Sequence, residues 1–261
     1  MKRVSYTAPS VKKAFKILQA ISDSPSGMGV TDLSKQLKIG KSTVHGITAA
    51  LEALGVIIRD PLEKKYSVGF TLLELGKKAY AKMELKAVTR KPMERLMEKI
   101  GETVFLGVLN GNRVTILDVV ESRNEMKITS PPGARLPLLV GATGRVLLSQ
   151  LEREKAKEIV QKMGLTRYTP KSIADPRQFL REVAKAKEEG YAVDDEEYMA
   201  GVRAIAAPIQ AAPLPPVAIW AVGFTSTLDD KKMEAVISEI QGTAQEIHDA
   251  LGKTVNGGVT V

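Results

Sequence analysis

Between Lys41 and Gly46 the chain reads Lys-Ser-Thr-Val-His-Gly: a cation, two hydroxyls, an imidazole and a residue with no side chain. If Val44 points inward from a helix, then Lys41, Ser42, Thr43, His45 and Gly46 point outward. Groups of this kind hydrogen-bond to phosphates and to base edges in the major groove of DNA. A second cationic set follows at Arg59, Lys64 and Lys65. The last two fall at the tip of an expected hairpin, where they would meet a phosphate backbone or a minor groove; a solvated turn would carry the same residues.

Two other clusters invite chemistry. Gly141-Ala-Thr-Gly-Arg145 follows an apolar stretch and opens a helix, so its exposed amides attract an anion such as a carboxylate. The Lys-Ser/Thr element of a phosphate loop is missing, a tight helix start would use the same glycines, and Arg145 reads equally as a surface charge. Asp194-Asp-Glu-Glu197 is the densest acidic run. Paired carboxylates serve acid–base chemistry or bind cations, yet neighbours on an extended segment face opposite ways, which favours a solvated or capping turn. The only histidines are His45 and His248, and there is no cysteine. No catalytic triad, thiolate nucleophile or histidine-based metal site can be assembled within one chain, so no metal and no cofactor is expected.

The elements that must hold the basic residues are legible around them. Ser10 to Ser22 is a first helix with Val11, Ala14, Leu18 and Ile21 on one face. Leu33 and Leu37 line the next, capped by Thr31 or Asp32, and Gly40 supplies the turn. The helix from Lys41 to Leu54 buries Val44, Ile47, Leu51 and Leu54 and stops at Gly55. A hairpin from Val56 to Val68 has Asp60 to Lys65 at its tip. Three helices and a basic hairpin make a winged helix-turn-helix.

Charge supports a polyanion partner for this third of the chain. Residues 1–82 hold 14 lysines and arginines against 6 acids, and residues 83–261 hold 24 of each, so the whole net charge of +8 lies at the N-terminal end.

Beyond it, Phe70 to about Lys86 has helical spacing at Leu72, Leu75, Ala79 and Met83, a linker and dimer contact. A helix over Val88–Ile100 carries Met93, Leu96 and Met97 inward. Strands are expected at 103–109 and 113–121 around Asn110-Gly111, at 126–130, at 201–209 and at 216–224. Helices are expected at 142–151, 153–163, 176–189 and 229–251. The expected organisation is a winged helix-turn-helix domain (1–69), a linker helix (70–88), an α+β domain with a mainly antiparallel sheet (89–252) and a flexible tail (253–261). No apolar run approaches the ~20 residues that span a bilayer, and no signal-peptide core follows Met1, so a cytoplasmic protein with no membrane partner is expected.

The chain resembles the IclR family of transcriptional regulators over about residues 8–252. The resemblance rests on Ala14-Phe-Lys-Ile-Leu, Lys41-Ser-Thr-Val-His, Leu51-Glu-Ala-Leu-Gly-Val, Tyr66-Ser-Val-Gly, Gly101-Glu-Thr-Val and Leu136-Pro-Leu. Gly144-Arg-Val-Leu-Leu, Gly190-Tyr-Ala-Val-Asp-Asp-Glu-Glu and Gly201-Val-Arg-Ala-Ile-Ala-Ala-Pro complete it. It implies a GAF-like or PAS-like effector domain and a homodimer, often paired into a tetramer, on palindromic double-stranded DNA. It also implies a small organic acid as effector, glyoxylate-like or aromatic, held by the amides of Gly141 and Ala142 with Asp194, Ala204, Ala221 and Gly223. The positions of Ala221 and Gly223 are often serine in relatives and that of Ala204 often cysteine; their bareness here implies a larger, less polar site. Relatives usually carry a long side chain at Gly46; its absence shifts base reading to Lys41, Ser42, Thr43 and His45 or to DNA shape, or else simply allows close approach to the backbone.

The expected function is therefore an effector-responsive, sequence-specific DNA-binding regulator and not an enzyme. Its rivals are an enzyme acting on a small carboxylic acid with a basic DNA tether, and a ligand-free chromosome-binding protein.

Overall fold

A computed structural model describes residues 8–82, 85–212 and 214–257, and the chain divides into two compact units, Met1–Lys82 and Met83–Val261. The first contains α1 (Pro9–Ser22), α2 (Val30–Leu37), α3 (Lys41–Ala53), β1 (Ile57–Arg59), β2 (Tyr66–Val68) and α4 (Phe70–Lys82). Strands β1 and β2 pair antiparallel, Ile57 opposite Val68 and Arg59 opposite Tyr66, and Met28 bridges onto Tyr66. The core is Ile17, Ile21, Leu33, Val44, Ile57 and Tyr66. This is a winged helix-turn-helix.

Four local expectations differ. The buried face of α1 is Ile17, Ala20 and Ile21, while Val11 in its first turn is 55% exposed. Helix α2 begins one turn earlier than the hydroxyl cap suggested: Gly29 is its N-cap and Asp32, three residues on, accepts the Gly29 amide at 3.3 Å. The left-handed turn residue is Lys38, at φ 53°, and not Gly40, whose φ of −56° suits any residue. On α3, Leu54 is exposed and Thr48 takes its place in the core, because the helix ends at Ala53 and Gly55 turns the chain at φ 66°.

The second unit contains α5 (Leu85–Ile100), β3 (Thr103–Asn110), β4 (Arg113–Val120), β5 (Arg135–Pro137), α6 (Gly141–Ser149), α7 (Arg153–Met163), α8 (Pro176–Glu189), β6 (Ala192–Asp195), β7 (Val202–Ile209), β8 (Val217–Phe224) and α9 (Asp230–Gly257). Its six strands form one antiparallel sheet in the order β5-β4-β3-β8-β7-β6. Both faces are covered. Val104, Leu106, Ile205, Ile219 and Ala221 pack with α5 and α9. Phe105, Ile116, Ala206, Ala218 and Trp220 pack with α6, α7 and α8. The architecture is α+β, as expected.

Residues 126–130 are not a strand; the chain there is irregular, and the strand beside β4 is Arg135–Pro137. The acidic run is part strand and part capping turn: Ala192–Asp195 is the edge strand β6 against β7, and the chain then bends at Glu196 and Glu197, the Asp194 carboxylate accepting the Glu197 amide. The expected linker helix corresponds to α4, Phe70–Lys82, and the helix expected from Val88 to Ile100 is α5, which begins at Leu85; the position of Met83 lies outside the described residues, as does the side chain of Ala79. Helix α9 continues to Gly257, into the expected tail, whose residues 258–261 also lie outside the described set. Among the described residues no helix is long and apolar enough to cross a membrane, and no group of three metal-ligating side chains occurs.

Candidate functional site

Helix α3 anchors through Val44 and Thr48, both fully buried, the Thr48 hydroxyl donating to the His45 carbonyl at 3.1 Å. That orientation leaves Lys41, Ser42, Thr43, His45 and Gly46 exposed together on the opposite side. Ala49, Ala50 and Ala53 extend the exposed side, and the space around Gly46 is open, with no atom within 4 Å of where a Cβ would stand. Past His45 the side formed by Gly46, Ala49, Ala50 and Ala53 is therefore nearly bare, which permits close approach to a groove. The alanines were not singled out from sequence, since an exposed alanine carries no chemical signal.

At the hairpin tip, the Asp60 carboxylate accepts the amides of Leu62 and Glu63, each at 2.7 Å, and these bonds hold it below the usual carboxylate range. The turn places Lys64 in the left-handed region at φ 58°, exposed to solvent. Lys65 instead pairs with Glu63 at 2.7 Å, which raises its ammonium above its ordinary value and offsets its charge. Arg59 lies over the Tyr66 ring, 5.7 Å from its centre. Lys64 is thus the better-presented wing cation of the two.

In the second unit a cavity of about 110 Å³ opens at the start of α6. Phe105, Ile116, Leu136, Trp220 and Val222 make its apolar walls, and Gly141, Ala142 and Thr143 bring the first turn of α6 to its edge. Val140 is the N-cap and no side chain caps the helix, so the first-turn amides, which have no partner within a helix, belong to residues that line the cavity. Phe105 and Trp220 stack at 5.4 Å between ring centres.

Asp194 supplies the only charged side chain in the lining. Burial, with help from the nearby Glu197 charge, pushes its carboxyl up to about 6, against the Glu197 amide bond at 2.7 Å and the Arg145 charge, which lower it. Arg145 is not a surface charge: it is 3% exposed, its guanidinium holds Glu197 at 2.8 and 3.0 Å, and it also donates to the Val193 carbonyl. That cation is committed to the protein itself. Thr169 and Ser172 hold the loop from outside through the carbonyls of Glu196 and Glu197.

Of the six expected cavity residues, Gly141, Ala142, Asp194 and Ala204 line it. Ala221 and Gly223 do not. Residues alternate faces along a strand, and Ala221 packs in the core under α5 and α9, while a Cβ on Gly223 would lie 2.6 Å from the Glu102 carboxylate. Trp220 and Val222 are the β8 residues that face the cavity, so of the three bare positions only Ala204 opens onto it. With β8 buried on both faces, its sequence held no signal to separate the two sets.

Comparison with known proteins shows the family and the fold. The family model for the IclR helix-turn-helix domain matches residues 10–61, and that for the C-terminal domain of the bacterial transcriptional regulator IclR matches residues 77–249. The HTH-type transcriptional regulator BhcR of Paracoccus denitrificans is 31% identical, over 91% of this chain and 85% of that protein. The HTH-type transcriptional regulator XynR of Escherichia coli is 28% identical, over 93% and 97% respectively. A crystal structure of an IclR homologue from Microbacterium hydrocarbonoxydans complexed with 4-hydroxybenzoate shares the fold at a TM-score of 0.78 and 23% identity, covering 94% of this chain and 99% of that one. The chain belongs to the IclR family of DNA-binding transcriptional regulators, and it is not an enzyme.

Proposed function

We propose that the protein binds a palindromic operator as a homodimer and that a small monocarboxylic acid in the α6 cavity controls this binding. The carrying observation is the uncapped start of α6 at a mostly apolar cavity, whose polar lining is Asp194 with Thr129, Ser130, Thr143 and Tyr198. The amides of Gly141 and Ala142 hold the carboxylate, as helix N-termini hold anions. Asp194, neutral when protonated, donates to it. The apolar walls take the rest of the ligand. A cavity of about 110 Å³ is somewhat smaller than the ~150 Å³ cavity known to admit benzene, so the apolar body is a short branched chain or at most one ring. The 4-hydroxybenzoate in the Microbacterium homologue supports a ligand of that class.

On the DNA side, Lys41, Ser42, Thr43 and His45 address base edges and phosphates, Gly46 admits the duplex, and Lys64 with Arg59 and Lys65 steadies the wing. Exposed apolar side chains on α1 (Phe15, 62%) and α4 (Phe70, 71%; Leu73, 54%) support self-association. Control requires that the ligand bind the DNA-competent and incompetent states unequally.

The test is selection of fragmented source-genome DNA by the full-length protein at ~0.15 M salt with excess competitor. Recovery of a few upstream regions sharing a palindrome, released by benzoate or a branched short-chain acid, supports the reading. Uniform recovery, or release by no such acid, overturns it.

A further inference from the structure

A second cavity of this unit lies away from the α6 start, between α7 and α8, with a volume of about 560 Å³. Leu148, Leu151, Leu180 and Val183 form its floor. Its rim carries Arg153 and Lys157 from α7 and Arg177, Arg181 and Lys187 from α8, against one acid, Glu154. The unit from residue 83 onward has equal numbers of acids and bases, so five cations to one acid is a local concentration of charge. Only Lys157 has an ion-pair partner among the described residues, Glu154 at 3.8 Å; Arg153, Arg177, Arg181 and Lys187 have none. Arg177, Arg181, Ala184 and Lys187 recur every three or four residues, which lines them along one side of α8 over about 15 Å.

We infer that this groove is a second small-molecule site, for an organic anion with an extended apolar body and a carboxylate or phosphate head. The apolar floor excludes a simple inorganic ion as the fitted occupant, because such an ion leaves the floor uncovered. The charged rim disfavours a neutral lipid-like molecule. The volume falls within the ~300–1,000 Å³ typical of small-molecule pockets, whereas a protein partner covers a broad surface. Guanidinium groups offer the paired donors that carboxylate and phosphate oxygens accept, and three arginines surround the opening. The inference does not rest on the α6 cavity binding an acid.

The test is calorimetry on the full-length protein with octyl phosphate, octanoate and, as the uncharged control, 1-octanol, all below their aggregation thresholds. Both anions are expected to bind at one per chain, the octanol at least tenfold more weakly. Arg177→Gln with Arg181→Gln should weaken the anions roughly tenfold, as the loss of two exposed charge pairs. These side chains are exposed, so the thermal midpoint should hold; if it falls, Arg153→Gln on the opposite wall replaces the pair, with about threefold weakening expected. Ala204→Leu, which fills the α6 cavity, should leave octyl phosphate binding in place. The inference is overturned if neither anion gives a saturable heat, if octanol binds as well as the anions, or if Ala204→Leu abolishes binding and the arginine variants do not. It is also overturned if the arginine variants change the sedimentation coefficient of the ligand-free protein, since a second copy would then cover the groove.

Discussion

The Asp194 carboxylate fills the space that a side chain on Gly141 would need. A Cβ at position 141 would fall against Asp194 Oδ2 and 2.9 Å from its Cγ, and Gly141 has φ 61°, a conformation that other residues adopt at a cost. One residue thus starts the helix whose first turn lines the cavity, and the other stands at the same point as its only carboxyl.

Gly141→Ala should therefore destabilise the protein by about 1–3 kcal/mol, through a left-handed backbone and a steric conflict together. Urea unfolding measures this. Adding Asp194→Ser should recover the steric part and leave the backbone part, so a double-mutant cycle with strictly additive effects would show that the two residues do not compete for space.

Asp194 also sets a pH dependence. Its carboxyl titrates near 6 in the folded protein and near 4 when unfolded, so between those values the folded state binds more protons and stability falls as pH rises. The charged groups facing it are Arg145 and Glu197. A carboxylate ligand beside it favours the protonated form further. Binding of benzoate should therefore tighten as pH falls from 7.5 to 6, and Asp194→Asn should flatten that profile without loss of affinity at pH 7.5. Calorimetry across pH decides; an unchanged slope in Asp194→Asn would assign the effect elsewhere.

On the DNA face, Lys41→Ala with Thr43→Ala should reduce the preference for operator over random DNA while leaving the unfolding midpoint within ~0.5 kcal/mol, since both residues are exposed. Footprinting at constant salt provides the reading.

The two wing lysines should differ. Lys64→Ala should lower the dependence of log affinity on log salt by about 1, the loss of one phosphate contact. Lys65→Ala should lower it by less, because Glu63 already holds that ammonium. Equal slopes for the two variants would discard the distinction.

Much of this was legible along the chain. The spacing of Val44 among polar neighbours, Gly55 after the helix, and the net positive charge confined to residues 1–82 point to a basic winged helix, because helix periodicity and charge are local properties. The sheet strands β3, β4, β7 and β8 were legible for the same reason, as β-rich runs bounded by turn residues.

The sequence by itself determined the family, the winged helix and the antiparallel sheet, all of which follow from local pattern. It did not determine which face of β8 meets the cavity. Residues 217–221 are all buried, so the alternation that normally separates inside from outside is silent there. Nor could it show that Asp32 is a back-bonding residue and not a cap, that the strand beside β4 begins at Arg135, or that Arg145 is buried on Glu197. Only the packing of α5 and α9 on one side of the sheet and α6 to α8 on the other turns Trp220 inward to the cavity and sets Asp194 against Gly141. Those contacts join residues more than fifty positions apart, and no local pattern encodes them.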